Sequence, residues 1–226
     1  MQVFQKDLAM TLDPLVARLE QTYSGVLNDV MRGQGLRDFT LPPSLRPLIP
    51  RQKLCGPVFT VSGKVDTSAD AHTTLLAWTG LLSKAKPGHV LLIQPNDSTV
   101  AHMGELSAET LKFRGVRGVV ADGGTRDAEF IIDMGLQVWH RYFTPRDIVS
   151  HWLPDAFDVP VQIGDVTIAP GDYVFGDTDG MVRLPKAQAE SIVAAAEEAM
   201  GKENLVRNAI LEGVDPQEAY LRHGKF

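Results

Sequence analysis

The sequence predicts an α/β fold organised around a largely parallel sheet. Three observations carry this. Between residues 56 and 140, apolar and β-branched runs of strand length alternate with longer stretches of helical periodicity, the pattern of successive βαβ units. From residue 159 the runs shorten and Gly-containing turns separate them, which predicts an antiparallel extension of the sheet or a β-rich subdomain. Hydrophobic residues make up 44% of 226 positions, enough for a sizeable core. The whole chain, 1–226, is expected to form one domain, with a helical N-terminal segment at about 8–32 and a helical C-terminal tail at about 186–226.

Taken in order, residues 8–31 read as a helix, because Leu12, Leu15, Val16, Leu19, Tyr23 and Val26 recur at three- and four-residue steps. Residues 33–51 carry Pro42, Pro43, Pro47 and Pro50 and read as a loop without regular structure. The run 56–65 (GPVFTVSGKV) is a strand, 72–83 a helix, 89–94 (HVLLIQ) a buried strand after the Pro87-Gly88 turn, and 100–103 a short strand. A helix follows at 105–114, a strand at 118–121 (GVVA), a helix at 128–134 and a strand at 136–140. Short strands are expected at 159–163, 166–168, 173–175 and 181–184. An Ala-rich helix then runs from 185 or 186 to about 200, where Gly201 either breaks or weakens it, and helical stretches follow at 203–211 and 216–222. These last helices are long for a tail and are expected to pack on a neighbouring subunit.

Composition narrows the function classes. A net charge of −6 without any Lys/Arg run argues against nucleic acid as a partner, since phosphate binding needs concentrated positive charge. No stretch reaches the roughly 20 apolar residues of a membrane span, and the N-terminus shows no basic segment followed by an apolar run. The single cysteine, Cys55, excludes an internal disulfide and suits a reducing compartment, so a cytoplasmic location is expected. Cys55 reads as a small buried side chain. His72, His89, His102, His140 and His151 lack zinc-type spacing, and His102 reads as a packed strand residue or as a pocket wall. Asp177 and Asp179 read as turn residues, and Trp78, Trp139 and Trp152 as core or interface.

The segment 104–127, GELSAETLKFRGVRGVVADGGTRD, carries the chemistry. Gly104-Glu105 lies at a junction into a helix, where the amides of Leu106 and Ser107 have no intrahelical acceptor and can hold a small anion such as a carboxylate. Gly104 allows close backbone approach. On its own this feature more readily describes an ordinary helix start with Glu105 in solvent. Arg126-Asp127 follows a buried strand and a glycine turn and precedes a helix, the place where ligands gather in open α/β sheets. Asp127 offers a hard oxygen ligand for Mg²⁺ or Mn²⁺, and Arg126 a fork of donors for a carboxylate or a developing oxyanion. A plain surface turn with a solvated Arg fits the same residues.

At this segment the sequence resembles the 4-hydroxy-4-methyl-2-oxoglutarate aldolase / regulator-of-ribonuclease-activity-A-like family. The shared signature is an acid, twenty intervening residues and Arg-Asp, here Glu105, residues 106–125 and Arg126-Asp127. GELSAE and GVVADGGTRD resemble the family's helix start and glycine turn, and PGDYVFGDTDGMVRLP at 170–185 resembles a further family segment. The resemblance runs from about Gly25 onward. It implies a swivelling β/α/β fold, homotrimers or hexamers, and active sites between subunits. It implies a divalent-metal-dependent lyase that cleaves a C–C bond in 4-hydroxy-2-oxo acids to give pyruvate, with oxaloacetate decarboxylation as a side activity. Asp127 then matches the Mg²⁺ (or Mn²⁺) ligand, Glu105 the acid that holds metal-bound water, and Arg126 the group on the pyruvyl portion. The Leu106 and Ser107 amides, reached past Gly104, match the carboxylate site. A further acid comes from a neighbouring subunit's C-terminal helix, and Glu203 is the best match, with Glu197 second. Residues 141–158 form a longer and more aromatic connection than the family pattern, with Thr144-Pro145-Arg146-Asp147 as a partial echo. The alternatives are a non-catalytic regulator that binds a ribonuclease and an enzyme for a sugar-derived 2-oxo acid. A Schiff-base lysine is disfavoured, because Lys53, Lys64, Lys84, Lys86 and Lys112 lack a setting that depresses a pKa.

Overall fold

Strands buried on both faces form the centre of the sheet, and their sequences are accordingly unbroken apolar runs rather than alternating ones. The computed structural model describes residues 13–224. It begins with helices α1 (Pro14–Leu19) and α2 (Ser24–Gly33), a two-residue strand β1 (Arg46–Pro47) and the long strand β2 (Leu54–Val65). Three right-sized crossover helices then alternate with strands: α3 (Ala71–Lys84), β3 (Val90–Gln94), α4 (Glu105–Phe113), β4 (Gly118–Ala121), the short β5 (Gly124–Thr125), α5 (Ala128–Met134) and β6 (Val138–His140). Strands β7 (Tyr142–Phe143), β8 (Trp152–Phe157), β9 (Val161–Ile163), β10 (Val166–Ile168), β11 (Tyr173–Gly176) and β12 (Met181–Leu184) follow, and helices α6 (Ala189–Leu211) and α7 (Pro216–His223) close the described chain.

Strands β2, β3, β4 and β6 pair in parallel, with Phe59 opposite Leu91, Leu91 opposite Val119 and Val120 opposite Trp139. Antiparallel strands complete the sheet: β1 on β6, β11 and β12 beyond the first half of β2, and β8 on its second half. Because side chains alternate across a strand, Leu91, Ile93 and Val119 face helices α3–α5 with Leu81, Leu111 and Ile131. Val90, Leu92 and Val120 face the other way, onto Val161, Ile163, Val166 and Ile168 of the β9–β10 hairpin. A third cluster joins Leu15, Leu19, Val26 and Met31 of α1 and α2 to Ile192, Val193 and Ala196 of α6 and to Phe175 and Val182.

Several sequence expectations change. The N-terminal helix divides into α1 and α2, because Lys53 Nζ donates to the carbonyls of Glu20 (2.9 Å) and Thr22 (2.7 Å) and so holds the chain open between them. Leu12 and the rest of that expectation before residue 13 lie outside the described residues. Helix α6 continues through Gly201 to Leu211, with Val206 buried beyond the glycine. Its first half packs on this chain's own α1 and α2. The segment 100–103 makes only an isolated bridge, Ala101 to Gly124, rather than a strand. Strand β8 lies in the connection 141–158, where Pro154 and Asp155 interrupt the apolar pattern. The Pro-rich loop contributes β1 and a bridge from Thr40 to Val182. Among the described residues no helix is long and apolar enough to cross a membrane.

Candidate active site

The carboxyl ends of β3 and β4 deliver two segments side by side. The glycine turn after β4 docks against residues 101–103: His102 N donates to Gly124 O (2.8 Å) and Arg126 N to Met103 O (2.9 Å). This places Arg126 and Asp127 against Gly104, at the start of α4. The turn is fastened from behind by an ion pair between Arg141 and Asp122.

Asp127 occupies the N-cap position of α5, yet its side chain does not cap that helix. Its backbone is left-handed (φ 57°, ψ 38°), a conformation that costs a non-glycine residue on the order of 1 kcal/mol or more. The result is a carboxylate aimed across to α4, where Oδ2 accepts the Glu105 amide hydrogen at 3.1 Å. Arg126 Nε lies 3.4 Å from the same oxygen, and Arg126 Nη1 donates to Asp147 Oδ2 at 3.2 Å. Gly104 clears the space for these side chains rather than for a special backbone, since its φ of −146° suits any residue. A Cβ at this position would lie 2.8 Å from Asp127 Oδ2 and 3.2 Å from Arg126 Nε.

Around these groups is a cleft of about 350 Å³. Gly104, Glu105, Leu106, Ser107, Arg126 and Asp127 line one side. Helix α3 forms the opposite wall with Leu75, Trp78, Thr79 and Leu82, and Asp147, Ile148 and Val149 form a third. Trp78 Nε1 donates to Ser107 Oγ at 2.9 Å, which ties α3 to the first turn of α4. The sequence therefore identified Gly104, Glu105, Leu106, Ser107, Arg126 and Asp127 as one group, and the fold gathers all six. Glu203 lies apart on α6, where its carboxylate meets the Tyr23 hydroxyl of the same chain. Glu197 is engaged by Arg18 (2.8 Å). Asp147 and the α3 wall escaped sequence reasoning. The only signal for Asp147 was its place in the Thr144–Asp147 echo of the family pattern.

The residues present fit a divalent cation of the Mg²⁺ type. Asp127 and Glu105 are hard oxygen donors at one helix junction, and such an ion keeps several waters and needs only one or two carboxylates. Among the described residues there is no cluster of three His, Cys, Asp or Glu side chains arranged to enclose a metal.

Behind the cleft, His102 is fully buried and packs edge-on to Trp152, with ring centroids 5.0 Å apart. It does not line the cleft. Burial lowers its pKa to about 4, a fall that nearby Asp97 opposes only in part. Its Nε2 is 3.4 Å from Asp97 Oδ2, but neither ring nitrogen has a hydrogen-bond partner among the described residues. Burial would raise the Asp97 carboxyl, but hydrogen bonds from Thr99, the Val100 amide and His151 hold it down to about 2. Cys55 is buried and its thiol is pushed up to about 11, chiefly by burial, as suits an inert core side chain. Asp177 acts in a turn and also accepts from Ser24 N and Oγ at the start of α2. No lysine lines the cleft among the described residues.

Several known proteins resemble this chain in sequence and fold. A "Putative 4-hydroxy-4-methyl-2-oxoglutarate aldolase" of Halalkalibacterium halodurans is 29% identical over 182 residues, which cover 80% of this chain and 83% of the relative. The crystal structure of Streptomyces coelicolor RraAS2, described as an unusual member of the RNase ES inhibitor RraA protein family, matches with a TM-score of 0.75 at 30% identity, over 85% of this chain and 95% of that one. An uncharacterised protein from Pseudomonas syringae pv. tomato shares the fold, with a TM-score of 0.81 at 23% identity over 92% and 93% of the two chains. The family profile described as RraA-like, Aldolase/RraA, matches residues 25–183, a span that holds the whole cleft, and the chain belongs to this family.

Proposed function

We propose that the cleft catalyses divalent-metal-dependent cleavage of a carbon–carbon bond beside a 2-oxo acid, releasing pyruvate, with oxaloacetate decarboxylation at the same site. The carrying observation is the convergence of Arg126 and Asp127 on the first turn of α4, in contact with Gly104. The aldolase name of the Halalkalibacterium relative points the same way. When bound at Asp127, with Glu105 beside it, Mg²⁺ (or Mn²⁺) supplies Lewis-acid stabilisation of charge on the 2-oxo oxygen.

The chain's own groups do the rest. The Leu106 and Ser107 amides, at the positive end of the α4 dipole, hold the substrate carboxylate. Arg126 donates a charge-assisted hydrogen bond to the oxygen on which charge develops, the kind of preorganised donor worth about 2.7–4 kcal/mol of barrier. In the retro-aldol direction the 4-hydroxyl loses its proton, and the acceptor is Glu105 or Glu203 of a neighbouring copy. Oxaloacetate needs no such base, because CO₂ leaves directly. In this reading the protein is a cytoplasmic homotrimer or hexamer whose clefts are completed between subunits.

The test is pyruvate release from oxaloacetate, from 4-hydroxy-4-methyl-2-oxoglutarate and from a monocarboxylic 4-hydroxy-2-oxo acid, each with Mg²⁺ and with a chelator. Metal-dependent release that Asp127→Ala abolishes in a folded protein supports the reading. No release from any of the three overturns it and leaves a binding role, such as that of the RNase inhibitor relatives, or a sugar-derived 2-oxo acid.

A further inference from the structure

We infer that Asp147 is a positioning residue of the site: it anchors the Arg126 guanidinium, so that this arginine and a divalent cation at Asp127 occupy the cleft together. The inference rests on the proposed lyase reading, in which Asp127 holds the cation and Arg126 meets the 2-oxo oxygen.

Arg126 lies between two carboxylates. Its Nη1 donates to Asp147 Oδ2 at 3.2 Å, and its Nε lies 3.4 Å from Asp127 Oδ2. The hold of Asp127 is the weaker one, because the same Oδ2 also accepts the Glu105 amide hydrogen at 3.1 Å. A cation bound at Asp127 weakens that hold further, since it neutralises the carboxylate and repels the guanidinium. Asp147 supplies the opposing negative charge, on a different nitrogen of the fork. Without it the guanidinium has two courses. It folds onto Asp127 and competes there with the cation, or it swings away on its flexible stem, for which its partly exposed side chain leaves room. Either course removes a preorganised donor from the developing charge.

The segment that carries Asp147 is fastened on several sides. Asp147 Oδ1 accepts the Val149 amide hydrogen at 3.1 Å, which orients the carboxylate within its own turn. Ile148 is buried in the cluster that holds Leu81 of α3 and Leu111 of α4. Ser150 takes a left-handed backbone (φ 53°), and its amide donates to Thr74 Oγ1 of α3 at 3.1 Å. On the other side, Arg146 O accepts the Ala101 amide hydrogen at 2.8 Å, next to the segment that docks the glycine turn. The carboxylate is thus held on the cleft wall by groups that do not depend on Arg126. The pair itself is more than one-third exposed on both sides, and an ion pair so exposed contributes little to folding. Its consequence lies in where it keeps the guanidinium.

The experiment is a double-mutant cycle: Asp147→Asn in the parent and in Arg126→Ala, with Asp147→Glu as the conservative variant. Mn²⁺ alone is titrated by electron paramagnetic resonance, pyruvate release from oxaloacetate is followed at saturating Mg²⁺, and thermal unfolding is recorded. In the parent, Asp147→Asn should lower kcat by about 10–100-fold, with KM within about threefold. Mn²⁺ affinity should fall by about threefold or more as Arg126 competes for Asp127, and the melting temperature should move by no more than about 2–4 °C. In the Arg126→Ala background the same substitution should change kcat and Mn²⁺ affinity by no more than about twofold. Asp147→Glu should recover part of both losses. Equal losses in the two backgrounds overturn the inference, because Asp147 then acts on the cation or the substrate by itself, and they leave the lyase reading intact. Parental kcat and Mn²⁺ affinity in Asp147→Asn also overturn it, as does a loss that follows unfolding. A parent that binds Mn²⁺ with the expected coupling but releases no pyruvate overturns the lyase reading and sustains the anchor. A parent that binds no Mn²⁺ overturns both.

Discussion

Gly104→Ala separates the requirements of the site from those of the fold. The added methyl would lie 2.8 Å from Asp127 Oδ2 and 3.2 Å from Arg126 Cγ and Nε, all side-chain atoms that can retreat by several tenths of an ångström. The backbone tolerates the change, because φ is −146°. Reduced freedom of the unfolded chain contributes about 0.4–1 kcal/mol in favour of alanine. Weakening of the Glu105 N to Asp127 bond opposes this by about 1 kcal/mol, for a carboxylate in partial contact with water. Net stability should change by no more than about 1 kcal/mol. Activity has no such compensation. On the proposed mechanism, displacing the proposed metal ligand Asp127 and the proposed oxyanion donor Arg126 together should lower kcat/KM by about 10–100-fold, equivalent to about 1.4–2.7 kcal/mol of barrier. Pyruvate release by the variant and the parent, measured beside thermal unfolding of both, tests this. A folded Gly104→Ala protein with parental kcat/KM would refute the placement of the chemistry at this junction, as would a loss fully explained by unfolding.

Arg126→Lys should keep the charge but lose the fork that reaches Asp127, Asp147 and the substrate, so kcat should fall by about 100-fold in steady-state assays, more than KM changes. Gly63→Ala should be destabilising by several kcal/mol or prevent soluble expression, because its Cβ would lie 1.9 Å from Cζ2 of the fully buried Trp152; parental melting would show that β2, whose pairing with β8 shifts register between Ser62 and Gly63, relaxes freely there. Burial keeps His102 neutral down to about pH 4. The unfolded chain binds that proton near pH 6.5, so the unfolded state gains relative stability as pH falls from 6.5 towards 4, by at most about 3 kcal/mol. Urea midpoints of the parent and His102→Gln across this window should diverge, the parent losing more; parallel pH profiles would show that His102 does not report on folding.

The crossovers were legible because β2, β3, β4 and β6 and the helices between them each have their own period, and these four strands are neighbours in the sheet in the order they follow in the chain, with only the two-residue β5 set aside to pair with β7. What stayed hidden was set by contacts distant in sequence. Nothing near Glu20 announces that Lys53 holds the chain open there, and the alternation of β8 is broken by Pro154 and Asp155 even though β2 supplies its pairing partner. At Gly201 the sequence left a break and a mere weakening both open, and burial of Val206 beyond it outweighs the roughly 1 kcal/mol that a helical glycine costs.

The site divides along the same line. Residue types at Glu105, Arg126 and Asp127 could be read from the family's spacing, but their geometry depends on bonds between segments distant in sequence: Arg126 N to Met103 O, His102 N to Gly124 O and, at the cleft itself, Glu105 N to Asp127. That last bond explains the most unusual backbone in the cleft. An aspartate at an N-cap ordinarily folds its side chain back onto the amides of its own helix. Asp127 instead takes a left-handed conformation, leaves α5 without that cap and points at α4. Two local costs are thus accepted at one residue, and neither is recovered by packing, since the side chain is more than one-third exposed. Strain and a forgone cap at a half-exposed carboxylate make structural sense if that carboxylate must face something other than its own helix. The neighbouring guanidinium, the first-turn amides of α4 and the space cleared by Gly104 suit the occupants we propose for it, a small anion together with a cation.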